Sequence, residues 1–220
     1  SQVSDLINRA LQLKDLRKKG ERPPLFQNKT LAMIFEKSST RTRVSFEAAM
    51  AEHGGTAVFL SAQESQISRG EPPEDTARVL SEMSDAVMIR TYEHSYLERF
   101  AKSSTVPVIN GLTNSFHPCQ VLADLTTYFE FRGTISGRKV AWVGDGNNMC
   151  RSYINAAELM SFDLCMACPD GYEPSGLDTG SGKIELVRDP REAVKGADLV
   201  VTDVWASMGQ ENETSERRRV

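Results

Sequence analysis

Long apolar runs are missing from this 220-residue chain. A helix that crosses a bilayer needs about 20 consecutive apolar residues, and no stretch comes near that. The start, "SQVSDLINRALQLKDLRKKG", reads as an amphipathic helix rather than a signal peptide, so a cytoplasmic location is the default expectation. Blocks of one charge sign are missing too. The 26 basic and 30 acidic residues are interspersed and sum to a net charge of −4. That balance gives no support to a general affinity for nucleic acid or for anionic membranes. Cysteine is scarce: the four residues at 119, 150, 165 and 168 are too few for a disulfide scaffold in a chain this long. Cys165 and Cys168 have CxxC spacing, but they lie inside the apolar run "FDLCMACP" with no second CxxC and no nearby histidine. They read as buried strand residues rather than metal or redox ligands, and no metal is expected.

What the chain does have is 40% hydrophobic and 25% charged residues, enough to bury one large core or two small ones. Apolar segments alternate between strand and helix patterns, which builds parallel sheets. "TLAMIF" at 30–35 reads as a strand, "TRVSFEAAMAEH" as a helix closed by Gly54 and Gly55, and "TAVFL" as the next strand. Helix "TARVLSEM", strand "AVMIR", helix "YLERFAKSS" and strand "VPVING" follow. The helix "HPCQVLADLTTYFEFRG" then leads to "RGTISGR", a turn-rich boundary at 132–138. A second series begins with strand "KVAWVGD", helix "SYINAAELMS" and strand "DLCMACP". After a Gly, Pro and Ser-rich loop it continues with strand "KIELV", helix "PREAVKG" and strand "DLVVTDVW". The expected fold class is therefore α/β, with two domains, residues 1–132 and 133–220, each a parallel sheet flanked by helices and joined by the helix at 117–131.

The stretch "EKSSTRTRVSFEAAM" gathers hydroxyl side chains and two arginines where a strand hands over to a helix. Backbone N–H groups and the positive end of the helix dipole converge there. Arg41 adds a planar fork of donors, so a phosphate fits; an ordinary N-cap with solvated or paired arginines is the plain alternative. A second cluster, "FHPCQ" at 116–120, places His117 one helical turn before Gln120, with Pro118 suited to a first turn. Alone, His117 reads as a satisfied structural histidine.

Taken together, "STRTR" at 39–43 with "SFE" at 45–47, "HPCQVLADL" at 117–125 and "DVWASMGQE" at 203–211 resemble the aspartate/ornithine carbamoyltransferase family, in order and across nearly the whole chain. The last motif is similar to its ornithine branch. The resemblance implies transfer of a carbamoyl group from carbamoyl phosphate to the δ-amine of L-ornithine, giving citrulline. It implies that Ser39, Thr40, Arg41 and Thr42 hold the phosphate, with Arg90, His117 and Gln120 around the carbamoyl group. Gln66 matches a position that in the family reaches carbamoyl phosphate from a neighbouring subunit of a homotrimer. Asn148, Asp203, Ser207 and Met208 would hold the α-amino and α-carboxylate groups of ornithine. Arg41, Thr42, Arg90 and His117 would be catalytic, since negative charge grows on the carbonyl oxygen as the amine attacks. No metal and no organic cofactor are implied.

Other readings start from the same residues. "VAWVGDGNNM" before a helix resembles a dinucleotide-binding turn, with Met149 at the third glycine position. Another amine acceptor, N-acetylornithine or putrescine, needs only modest pocket changes. The family also continues past the SMG loop with an "HCLP" motif and a terminal helix. Neither follows "ETSERRRV", so the second domain is expected to be incomplete, and a carbamoyl-phosphate-binding but inactive domain is a further alternative.

Overall fold

The computed structural model describes residues 1–176 and 183–204. Seventeen residues at the start form helix α1 (Gln2–Lys18). Strand β1 (Thr30–Phe35) follows, then α2 (Thr40–Glu52), β2 (Thr56–Ser61), α3 (Pro73–Ser81), β3 (Ala86–Arg90), α4 (His94–Ser103), β4 (Val108–Leu112) and α5 (Pro118–Arg132). The second series is β5 (Lys139–Val143), α6 (Asn148–Met160), β6 (Asp163–Ala167), β7 (Ile184–Val187), α7 (Pro190–Val194) and β8 (Leu199–Val201). The strands make two four-stranded sheets, ordered β2-β1-β3-β4 and β7-β6-β5-β8. Every pairing is parallel.

Packing divides the chain into a unit formed by Leu11–Cys119 and a unit formed by Ser1–Ala10 with Gln120–Val220. In the first unit, β1 shows why its sequence is apolar throughout. Ala32 and Ile34 pack with Ala77 of α3 and with Leu97 and Phe100 of α4. Leu31, Met33 and Phe35 project the other way, onto Met50 and Phe46 of α2. Strand β3 alternates in the same manner, Val87 and Ile89 to one side and Met88 to the other. A parallel sheet covered on both faces requires such unbroken apolar runs.

In the second unit, Trp142 of β5 is buried, stacks on Tyr153 of α6 at 5.9 Å and donates from its indole N–H to the Asp145 carbonyl at 3.1 Å. Cys165 lies in a small core with Ala141, Ala167, Val187 and Ala193. Cys150 is also buried, and its thiol donates to Met166 Sδ at 3.4 Å. A side-chain hydrogen bond with Cys168, reinforced by burial, pushes the Cys150 thiol well up, so it stays neutral. All four cysteines are free. Two helices begin earlier than their apolar periodicity suggests. Asn147 caps α6 by accepting from the Met149 and Cys150 N–H groups, and Ser39 caps α2 by accepting from Thr42 N–H. Among the described residues, no helix is long and apolar enough to cross a membrane.

Candidate active site

Each sheet reverses its strand order once, β1 lying between β2 and β3 and β5 between β6 and β8. Loops leaving the carboxyl ends of strands on either side of such a reversal diverge and open a crevice. In the first unit that position brings together residues 39–42, which follow β1, and Arg90, the last residue of β3.

The turn into α2 is shaped by two hydroxyl side chains. Ser39 Oγ accepts from Thr42 N at 3.3 Å and donates to Thr42 Oγ1 at 3.0 Å. Thr40 and Arg41 are exposed in the first helical turn. The second arginine of the motif has a different task. The Arg43 guanidinium lies 3.8 Å from the centroid of the Phe59 ring, and its Nε donates to Glu47 Oε1 at 2.9 Å. Arg43 therefore holds α2 against β2, whereas Arg41 makes no ion pair among the described residues.

Two further cations are buried, Arg90 within reach of the Arg41 charge and Lys37 within reach of the Arg90 charge. Arg90 is 5% exposed and Lys37 is 7% exposed. Burial lowers the Arg90 pKa, and Arg41 lowers it further, while Cys119 opposes the shift. Burial also lowers the Lys37 pKa, helped by Arg90 and opposed by Glu36. Both shifts are led by burial, and in each a neighbouring arginine adds to it.

A set of crossed hydrogen bonds fixes the loops that carry these groups. The Glu36 carboxylate accepts from the Thr91 hydroxyl and from Tyr92 N, and Glu36 N donates to the Arg90 carbonyl at 2.9 Å. Lys37 Nζ donates to Asn114 Oδ1 at 2.6 Å and sits 4.3 Å from the Tyr92 ring centroid. Asn114 N donates to the Tyr92 carbonyl at 2.8 Å. Thr113 Oγ1 accepts from Phe116 N at 3.1 Å and lies 3.1 Å from His94 Nδ1. This rigid turn delivers His117 directly before Pro118, the first residue of α5. Cys119 donates to the Asn110 carbonyl at 3.3 Å, and burial raises its thiol pKa while Arg90 opposes.

Ser39, Thr40, Arg41, Thr42, Arg90 and His117 thus share one unit. Gln120 belongs to the other, where it is exposed and donates to Asp124 Oδ1 at 2.8 Å. Gln66 is exposed in the 3-10 turn Gln66–Arg69, its amide oxygen 3.5 Å from Arg69 Nη1. Lys37 was not singled out from the sequence, and Glu36, a possible partner for the motif's arginines, bonds to Thr91 and Tyr92 instead.

In the second unit, Asn148 opens α6 and its carbonyl accepts from Ser152 Oγ at 2.6 Å. Asp203 follows β8, the neighbour of β5, and accepts from Val204 N at 2.8 Å and from Asn147 Nδ2 at 2.8 Å. Ser207 and Met208 lie outside the described residues. The glycine-rich turn is already covered by the chain itself. Gly146 N donates to the Tyr172 carbonyl at 2.6 Å, and a Cβ at Gly146 would come within 2.5 Å of the Glu173 carbonyl carbon. A dinucleotide pyrophosphate needs that same approach to the second glycine, and backbone occupies it.

Comparison with known proteins agrees with both halves. The family described as "Aspartate/ornithine carbamoyltransferase, carbamoyl-P binding domain" matches residues 1–130, and its "Asp/Orn binding domain" matches residues 136–220. The ornithine carbamoyltransferase of Nitrosococcus oceani is 57% identical over 98% of this chain and 72% of that protein. "Ornithine carbamoyltransferase 1, anabolic" of Pseudomonas savastanoi pv. phaseolicola is 58% identical over 96% of this chain and 70% of that protein. The solved structure of ornithine carbamoyltransferase from Pyrococcus furiosus is 50% identical, superimposes with a TM-score of 0.91, and is matched over 100% of this chain and 73% of that one.

Proposed function

Because this chain belongs to the aspartate/ornithine carbamoyltransferase family, we propose that it transfers the carbamoyl group of carbamoyl phosphate to the δ-amine of L-ornithine, giving L-citrulline and phosphate. The observation that carries the reading is the cluster of Arg41, Arg90 and Lys37 beside the N-terminus of α2. Arg90 and Lys37 are buried cations, and together with the exposed Arg41 and the helix N-terminus they favour an anion, for which a phosphate is suited.

The roles follow from the chemistry. Ser39, Thr40, Arg41 and Thr42 hold the phosphate. As the amine nitrogen bonds to the carbamoyl carbon, charge builds on the carbonyl oxygen, and Thr42, Arg90 and His117 donate to it. The carbon–oxygen bond to phosphate then breaks, the electron pair leaves with the phosphate, and the amine's extra proton passes to phosphate or solvent. Asp203 accepts from the α-ammonium of ornithine, and Asn148 donates to its carboxylate; by family resemblance Ser207 and Met208 complete that grip, and Gln66 acts from a neighbouring subunit of a homotrimer. Neither step needs a metal or an organic cofactor. Relatives called anabolic favour a synthetic direction, which on the family reading leads toward arginine, and a cytoplasmic setting belongs to the same proposal.

The test is phosphate release from carbamoyl phosphate with ornithine, N-acetylornithine, putrescine and aspartate offered separately, the product identified by mass. Citrulline from ornithine is the expected result. Turnover with a different acceptor alone, or with none, refutes the proposal. The rate should climb toward alkaline pH, because the attacking amine has a reference pKa of about 10.4.

A further inference from the structure

Resting on the assignment of Asp203 to the α-ammonium of ornithine, we infer that Asn147 is the positioning residue for that carboxylate and thereby sets the preference for acceptors with a free α-ammonium. Asn147 Oδ1 accepts from Met149 N at 2.9 Å and from Cys150 N at 3.2 Å. Two N–H donors identify that end of the amide as the oxygen. Its nitrogen then points away from the helix, and Nδ2 donates to Asp203 Oδ2 at 2.8 Å. The helix behind it cannot give way easily, since Met149, Cys150, Ser152 and Tyr153 are all buried. One side chain therefore joins a fixed helix terminus to the carboxylate.

Asp203 itself is exposed after β8, an edge strand among the described residues, and a lone carboxylate there would sample several rotamers. Bonds from Asn147 Nδ2 to one oxygen and from Val204 N to the other restrict it to one orientation. A carboxylate has about four lone-pair sites, so roughly two remain for an ammonium. Asn148, the neighbouring residue, is thereby freed from capping.

Two substitutions separate this role from helix capping. Asn147→Asp and Asn147→Ser each keep an oxygen able to cap α6. The first sets a carboxylate against Asp203, and the second cannot reach it. The readouts are KM for ornithine, carbamoyl phosphate affinity, the unfolding midpoint, and inhibition by 5-aminopentanoate, which keeps the δ-amine and carboxylate of ornithine but lacks the α-ammonium. KM for ornithine should rise about 10-fold, the size expected for losing a charge-assisted hydrogen bond. The other three readouts should stay at the unsubstituted protein's values. Unchanged KM for ornithine overturns the inference. Equal losses for ornithine and 5-aminopentanoate, or failure of both variants to fold, would reduce Asn147 to a helix cap and overturn it as well. Absence of citrulline formation by the unsubstituted protein refutes the function itself and the inference with it.

Discussion

Replacing Gly146 with alanine should damage the second unit while sparing the first. The added Cβ would stand 2.5 Å from the Glu173 carbonyl carbon and 2.5 Å from Pro174 Cδ, and closer still to the Pro174 nitrogen. Ordinary contact begins at 3.4 Å, so the facing chain must retreat by about 1 Å. Its atoms are backbone and a proline ring, which cannot rotate aside. Retreat also breaks the Gly146 N to Tyr172 carbonyl bond of 2.6 Å. Overpacking costs about 1–3 kcal/mol and the lost hydrogen bond about 1 kcal/mol, giving roughly 2–4 kcal/mol in all. For a protein of this size each kcal/mol moves a melting midpoint by about 2–4 °C, so a drop of roughly 5–15 °C is expected. Both tryptophans, Trp142 and Trp205, lie in the second half of the chain, so their fluorescence reports on the unit concerned. Carbamoyl phosphate affinity should stay unchanged, and KM for ornithine should rise as the α6 terminus moves. A fluorescence melt within about 1 °C of the unsubstituted protein would show that the 172–175 segment does not close over Gly146 as described.

Arg41→Ala and Arg43→Ala should part company despite their spacing. The first is expected to weaken carbamoyl phosphate binding by about 10- to 100-fold, the range for losing a charge-assisted hydrogen bond to the anion. The second should cost about 1 kcal/mol of stability through Phe59 and Glu47 with little effect on that affinity, both read by calorimetric titration and urea unfolding. Lys37→Met should leave stability within about 1 kcal/mol, because losing the Asn114 bond is offset by removing a buried ammonium, yet it should weaken carbamoyl phosphate binding. Tyr96→Phe should be neutral or stabilising, since among the described residues the buried Tyr96 hydroxyl meets no hydrogen-bond partner. Burial, with Glu36 and Glu71 adding to it, pushes the Tyr96 pKa up to about 12. The folded protein thus keeps a proton that the unfolded chain releases near its ordinary value of about 10, so this contribution to stability disappears as pH rises from about 10 to 12. Urea unfolding across that range should show a shallower decline for Tyr96→Phe than for the unsubstituted protein.

Much of the fold could be read from β1 and β3, because burial on both faces forces unbroken apolar runs. Helix starts were harder. Thr40, Arg41 and residues 148–151 are polar or mixed, and side-chain caps at Ser39 and Asn147 rather than apolar period recruit them into α2 and α6. The hydroxyl and arginine motif at 39–42 was legible because its parts are consecutive. Lys37 was not, since its meaning depends on Asn114 and Tyr92, far away in the chain. Asn147 was passed over for its neighbour because a capping asparagine looks ordinary until the far end of its amide is seen to hold Asp203.

The crowding of Arg41, Arg90 and Lys37 has an effect beyond substrate capture. Cations gathered near one helix terminus attract any phosphate-like anion, the one that arrives on the substrate and the one left after transfer alike. On the proposed reading, inorganic phosphate is therefore both a protectant and a competitor: at about 100 times its dissociation constant it would add about 2.7 kcal/mol to the first unit's stability. Heat resistance and catalytic speed should accordingly move in opposite directions as phosphate accumulates, and the chain's resilience becomes a gauge of how much product it has left behind.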